Sequence, residues 1–349
     1  MKKLLKIALI VLAVPLCAAL ALVIWLTVTE YRPAAVEPAA LDAAAADRTL
    51  AADGTLSLLT FNVGYGGLGK SADFFMDGGE QVAPESRAQV EQNLAGIAAI
   101  LAEQDADVTL LQETDADSAR SFGIDERAAL APASRAFALN YSCAFVPYPL
   151  PPIGRVHSGL TTATGAEILS AERVALPCPF KWPVRTANLK RCLLAAVLPL
   201  AGTDRKLVVV NLHLEAYDDG SGKLAQTEAL RAFLTAQYEA GNYVVAGGDF
   251  NQTFPGSLAR YPIVEQDYWA PGTLDDSLLP AGWRFAYDLE TPSCRLLNRP
   301  YDPNDPATQV YVIDGFILSP NIELKAVRTV DAGFEYSDHN PVRLEITLK

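Results

Sequence analysis

Five apolar runs in this chain each end in a side chain able to hold a metal ion, a phosphate oxygen or a proton. Leu58-Leu59-Thr60-Phe61 leads into Asn62, and Leu110-Leu111-Gln112 leads into Glu113. Val208-Val209-Val210 precedes Asn211-Leu212-His213, and Val244-Val245-Ala246 precedes Gly247-Gly248-Asp249-Phe250-Asn251. The fifth, Tyr311-Val312-Ile313, ends in Asp314 and is complemented by a later Ser337-Asp338-His339. Singly, each reads as a strand followed by a turn, because Asn and Asp are common turn formers. The whole set is hard to explain by turns alone.

Hydrolysis of a phosphate ester needs a hard cation on the phosphoryl oxygens, a positioned water and stabilisation of the leaving oxygen. Asn62 and Glu113 offer the oxygen donors that Mg²⁺ prefers, with Asp338 a ligand directly or through water; so few protein ligands leave the ion several waters. Mn²⁺ and Ca²⁺ are alternatives. Asp249 is the candidate to orient or deprotonate the attacking water, with Asn251 holding that water or the phosphate. A charged His339 can donate to a nonbridging oxygen, and Asp314 would fix its tautomer and raise its pKa. His213 could donate from the other side. Only three histidines occur, and two of them fall in these segments. The third, His157, reads as a surface-loop residue; Arg191 could reach phosphate but reads as an ordinary charged strand start, and Lys70 and Lys181 are plausible substrate contacts that nothing raises above chance.

Strands must carry most of these groups, since polar residues at strand ends can converge on one rim of a sheet. Strands are expected at residues 55–62, 107–112, 193–200, 207–214, 243–247, 310–318, 322–330 and 342–348. Val90, Leu94, Ile97, Ala98 and Leu101 recur on one helical face, giving a helix that begins near Ser86. Further helices are expected within 118–137 and over 224–238. Residues 251–306, rich in Pro, Gly and Asp, read as long surface loops. The stretch 64–84 carries Tyr65, Phe74, Phe75 and Met76 and must emerge beside Asn62, so it reads as a lid or substrate loop. The pattern as a whole is a single α/β domain.

In this order the motifs resemble the endonuclease/exonuclease/phosphatase superfamily. The matching residues are Asn62, Gln112-Glu113, Asn211-x-His213, Gly248-Asp249-x-Asn251, Asp314 and Ser337-Asp338-His339. The resemblance implies a four-layered α/β sandwich, two mixed β-sheets flanked by helices, and Mg²⁺-dependent hydrolysis of phosphate esters. It does not choose among substrates, because one scaffold hosts many chemistries.

Upstream, residues 7–28 form an uncharged apolar run preceded by Lys2, Lys3 and Lys6. That is long enough to cross a bilayer as a helix, and the flanking lysines place the N-terminus in the cytoplasm. A cleaved signal peptide would have a shorter apolar core and a small-residue cleavage site directly after it. The expected plan is a membrane anchor over 1–30, a tether over 31–53 and an extracytoplasmic catalytic domain over 54–349. Half of the residues are hydrophobic, enough for a proper core, and the formal net charge is −13. An acidic protein lacks the clustered Lys and Arg that give general affinity for nucleic acid. The expected substrate is a lipid headgroup, a small phosphate ester or nucleic acid, with an extracellular nuclease or a catalytically silent binding module as rival readings. No protein partner is implied. Cys143, Cys178, Cys192 and Cys294 read equally as disulfide partners or free thiols.

Overall fold

The computed structural model describes residues 2–42, 48–131 and 134–349. Two mixed β-sheets pack face to face. In the first, Thr55–Asn62 lies between the parallel Val108–Asp115 and the antiparallel Val342–Leu348. Ile322–Thr329 extends this sheet on one side, Gly154–Thr164 and Ser134–Val146 on the other. The second sheet runs Ser170–Ala175, Cys192–Ala201, Lys206–His213, Tyr243–Asp249, Asp314–Leu318, with Arg284–Ala286 at its edge. Lys206–His213 and Tyr243–Asp249 are parallel to each other.

The central strands are apolar on both faces, which is why their sequences run without polar interruption. Leu56 and Leu58 point between the sheets, whereas Phe61 points to the helix Arg87–Gln104. Leu207 and Val209 likewise meet the opposite sheet, while Val208 and Val210 meet the helix Ser221–Glu239. Helix, sheet, sheet and helix therefore stack as the four expected layers. Leu58, Leu110, Val209, Val245 and Phe316 share the inter-sheet layer, and full burial of each such side chain is worth about 1.5–3 kcal/mol. Ser86 caps the first helix, its Oγ accepting from the Gln89 amide at 3.2 Å, and Val90, Leu94 and Ile97 form its buried face.

Three local expectations change. Within 118–137 the α-helix is only Glu126–Leu130, and the strand Ser134–Val146 begins soon after. Ala136 and Ala138 alternate into the inter-sheet core, and pairing with Gly154–Thr164 outweighs the helix propensity of alanine. Residues 251–306 are largely packed rather than loose: Phe254 and Leu274 join the core beneath the Ser221–Glu239 helix, and Arg284–Ala286 adds a strand. In 31–53, Val36–Pro38 pairs with Ser170–Ala175 and Ala40–Asp42 with Ser134–Val146, so this stretch ties both sheets at their edges. Residues 43–47 of the expected tether lie outside the described residues. Among the described residues all five cysteines are free thiols.

The helix Lys2–Val28 has a mean hydropathy of 3.1 and is long and apolar enough to cross a membrane. Its last turn docks on the domain. Leu26 is buried against Cys143, Val146 and Val156, and the carboxylate of Glu30 pairs with Arg185 at 3.2 Å and Lys190 at 3.5 Å.

Candidate active site

The period-two alternation that builds the inter-sheet core also builds the cleft above it. In Thr55–Asn62 the series Leu56, Leu58, Thr60 continues to Asn62. In Lys206–His213 the series Leu207, Val209, Asn211 continues to His213. Val245 and Gly247 lead to Asp249, and Phe316 leads back to Asp314. Register completes the arrangement: His213 stands beside Asp249 and Asp249 opposite Asp314. The last rung of four buried strands thus projects its side chains into one space at the open end of the sandwich.

A polar plug separates that space from the core. Gln112 donates through Nε2 to Asn211 Oδ1 at 2.7 Å, and Asn211 Nδ2 donates to the carbonyls of Leu111 and Thr161 at 3.0 Å each. Both side chains are fully buried and bridge the sheets. These two motif residues are therefore positioning groups beneath the site. Glu113 reaches the cleft by a different device. Its φ of 57° and a register shift between Leu111 and Thr114 break the alternation and swing it inward. Gly248 allows close approach, since a Cβ there would lie 1.9 Å from the Leu212 carbonyl oxygen, and its φ is 151°.

The cleft holds about 310 Å³ and is lined by Asn62, Glu113, His213, Asp249, Asn251, Asp338 and His339. Asp314 sits behind His339, its Oδ2 2.8 Å from Nδ1, so all eight candidates converge. Asn62 Nδ2 donates to Glu113 Oε1 and to Asp249 Oδ2, both at 3.1 Å. As oriented, this amide presents nitrogen to the carboxylates, while its oxygen accepts from the Gly64 amide at 3.1 Å. The Asn251 amide N–H donates to Asp249 Oδ1 at 2.8 Å, and Asn251 Nδ2 is bonded to the Leu214 carbonyl at 2.8 Å.

The two imidazoles flanking Asp249 Oδ2 lie at 3.4 Å (His213 Nε2) and 3.7 Å (His339 Nε2) and differ in charge. Burial, reinforced by Arg191 and His339, holds His213 well below its ordinary pKa and hence neutral. Burial also opposes charge on His339, but Asp314, Cys294 and Asp338 outweigh it and hold this imidazole well above its ordinary value. Burial lifts Asp249 to about 6, against the pull of His339. Asp338 is lifted to about 7 by burial first, with His339 lowering it and Glu113 raising it again.

Half-buried Glu113 and buried Asp338 thus bring two carboxyl groups to one wall, and Asp249, Asp314 and His339 form a cluster within metal-ligand spacing. Oxygen donors crowded together, with burial resisting ionisation of Asp249 and Asp338, fit a hard divalent cation, which would relieve both penalties.

Several residues of the cleft escaped the sequence reading. Arg191 is buried, donates to the His213 carbonyl at 3.3 Å and faces Glu215 at 3.8 Å, so it is no ordinary strand start. The hairpin register, Leu193 opposite Leu212, would have carried it to the His213 end. Arg120 is gripped by both oxygens of Asp115, at 3.1 and 3.0 Å, and lies 3.7 Å above the Tyr65 ring. No local signal marks it. The 64–84 stretch does wall the cleft, through Tyr65, Phe74, Met76 and Asp77. Asp77 accepts from the Tyr217 hydroxyl at 2.7 Å. His157 lies half-buried on the strand Gly154–Thr164 rather than in a loop, and Lys70 pairs with Glu335 at 3.6 Å, away from the cleft.

Proteins of known structure share this architecture. An endonuclease/exonuclease/phosphatase protein from Beutenbergia cavernae DSM 12333 aligns with 84% of this chain and 72% of its own, at 18% identity and a TM-score of 0.55. ANGEL2, a 2',3'-cyclic phosphatase crystallised with adenosine-2',3'-vanadate, aligns with 85% of this chain and 96% of its own, at 16% identity and a TM-score of 0.55. The human Nocturnin catalytic domain, with bound sulfate, aligns with 90% and 99%, at 14% identity and a TM-score of 0.52. At these identities the likeness is one of fold. No curated protein matches the sequence. Residues 59–339, however, match the Endonuclease/Exonuclease/phosphatase family across all of the motifs described, and the chain belongs to that family.

Proposed function

We propose that the protein is a divalent-metal-dependent phosphoesterase held at the outer face of a membrane by its N-terminal helix. The carrying observation is the charge pattern around Asp249. This carboxylate lies between a neutral imidazole and one held charged by Asp314, and the Asn62 amide that donates to it also donates to Glu113. A silent binding module would have no need of such a division of protonation states among buried groups.

Glu113 and Asp338 would hold Mg²⁺, or Mn²⁺ or Ca²⁺, with Asn62 beside them. A bound ion supplies positive charge to the phosphoryl oxygens and leaving group. Ionised Asp249 accepts the proton of the attacking water, and the Asn251 amide N–H fixes that carboxylate. His339, its Nδ1–H committed to Asp314, presents Nε2–H to a nonbridging oxygen. Neutral His213 orients the base from the other side. Arg191 and Arg120 add positive potential to an acidic molecule where a phosphate must enter. The cyclic phosphatase and the sulfate-bound domain of like fold agree with a phosphate-ester substrate. The lysines before the anchor favour an extracytoplasmic catalytic domain.

The test is turnover by the full chain in detergent, with and without Mg²⁺, of a chromogenic phosphodiester, a phosphomonoester and double-stranded DNA. Metal-dependent ester cleavage lost in both Asp249→Ala and His339→Ala is expected. Activity unchanged in those variants, or no turnover at any metal concentration, would overturn the reading, and predominant DNA cleavage would make the protein a nuclease.

A further inference from the structure

The mouth of the cleft and the foot of the membrane helix belong to the same two loops. The first is the hairpin between Ser134–Val146 and Gly154–Thr164, whose tip exposes Tyr148 (69%) and Leu150 (86%). The second is the loop before Cys192–Ala201, which exposes Trp182 (56%) and Val184 (57%) beside Lys181 and Arg185. Both loops touch the last turns of the helix Lys2–Val28. Trp182 Nε1 donates to Thr27 Oγ1 at 3.0 Å; at the hairpin, Ile153 packs against the cluster that buries Leu26, and the ring of Phe145, on the strand leading into it, is 6.5 Å from Trp25. Both also wall the cleft, through Ile153 on the first and Phe180 and Leu189 on the second. Ile153 and Tyr141 line the cleft and also pack against the cluster that buries Leu26. The aromatic chain continues into the lid, where Phe75 lies 6.0 Å from Tyr148.

Large apolar side chains are exposed here at the level where the helix leaves the domain. Trp, Tyr and basic residues favour the headgroup level of a bilayer. In a chain of net charge −13, these loops present exposed Lys181 and the half-exposed Arg185, whose guanidinium also faces Glu30 at 3.2 Å. Cations at that level suit an anionic lipid surface. The membrane that holds the helix is the one occupant already adjacent to these loops.

We infer that residues 148–150 and 181–185 rest in the lipid surface around the helix exit, so that the cleft opens onto the bilayer and takes the phosphate ester of a lipid headgroup. This rests on the phosphoesterase and anchor readings above and narrows their substrate.

Depth-dependent fluorescence quenching tests the docking face without reference to activity. The full chain carrying Leu150→Trp, or Asp204→Trp at the far end of the second sheet, is placed in vesicles of brominated phosphatidylcholine with phosphatidylglycerol. Bromine quenching above that of the parent chain is expected for L150W and absent for D204W; equal quenching of the two overturns the docking. In a second arm, sphingomyelin, phosphatidylcholine and phosphatidylglycerol are presented in vesicles beside a soluble chromogenic ester. The double variant Leu150→Asp/Val184→Asp should lose tenfold or more of lipid turnover while cleaving the soluble ester at the parent rate. Equal retention of both activities, or ester cleavage by the parent chain without any lipid turnover, sinks the lipid assignment. Loss of both in the parent chain sinks the phosphoesterase reading instead, while the quenching result still stands.

Discussion

His339 Nδ1 lies 2.8 Å from Asp314 Oδ2, a buried pair joining the final loop to the first residue of the strand Asp314–Leu318. Ser293 Oγ donates to the same oxygen at 2.8 Å, so the acceptor cannot swing away. Asp314→Asn removes the charge that stabilises the imidazolium while keeping the shape. We expect a fall in kcat of about 10²- to 10⁴-fold on a soluble ester, and an NMR titration of His339 moved to lower pH. A rate within twofold of the parent would show that the pair is structural.

Asp249 acts as base only when ionised, and its pKa is lifted to about 6, chiefly by burial. His339 acts as donor only when protonated, and its pKa stands well above the ordinary value. The product of these two requirements is bell-shaped. kcat/KM should climb as pH rises through about 6 and fall again only on the alkaline side of the ordinary histidine value. A profile that is flat over about pH 5–8 would contradict the assignment.

Metal affinity separates Glu113 and Asp338 from the proton-transfer groups. Calorimetric titration of the full chain with Mg²⁺ alone should show binding weakened at least about tenfold in Glu113→Gln and Asp338→Asn. Chelation should abolish turnover and added Mg²⁺ restore it. Unchanged Mg²⁺ affinity in both variants would move the ion elsewhere.

Asn211 belongs to the motif pattern yet bonds only across the sandwich, to Gln112 and to the carbonyls of Leu111 and Thr161. Asn211→Ala removes three bonds between the sheets, each worth about 0.5–1.5 kcal/mol, and leaves a void there, while Gln112 Nε2 keeps Thr60 Oγ1 at 3.1 Å. Urea unfolding of the full chain in detergent should show a destabilisation of about 3 kcal/mol or more. A change below about 0.5 kcal/mol would mean that the plug is not holding the sheets in register.

The residues at the rung of the site were legible from local sequence. Long apolar runs meant strands buried on both faces. Period-two alternation then assigns Asn62, His213 and Asp249 to the same side as the core residues before them, and Asp314 to the side of Phe316 after it, because a strand has no other way to direct successive side chains. The helix after Ser86 was equally local, since capping and a 3.6-residue period are properties of a single segment.

Tertiary structure alone decided the rest. Glu113 enters the cleft because a register shift breaks the alternation that would have turned it outward. Arg120 and Arg191 became cleft residues through partners, Asp115 and the His213 carbonyl, brought to them by sheet pairing and loop packing. The alanines of Ser134–Val146 became strand because a neighbouring strand was there to pair with, and residues 36–42 became edge strands for the same reason. Interactions between distant segments carry no period along the chain, so they take effect only once the two sheets have closed on each other.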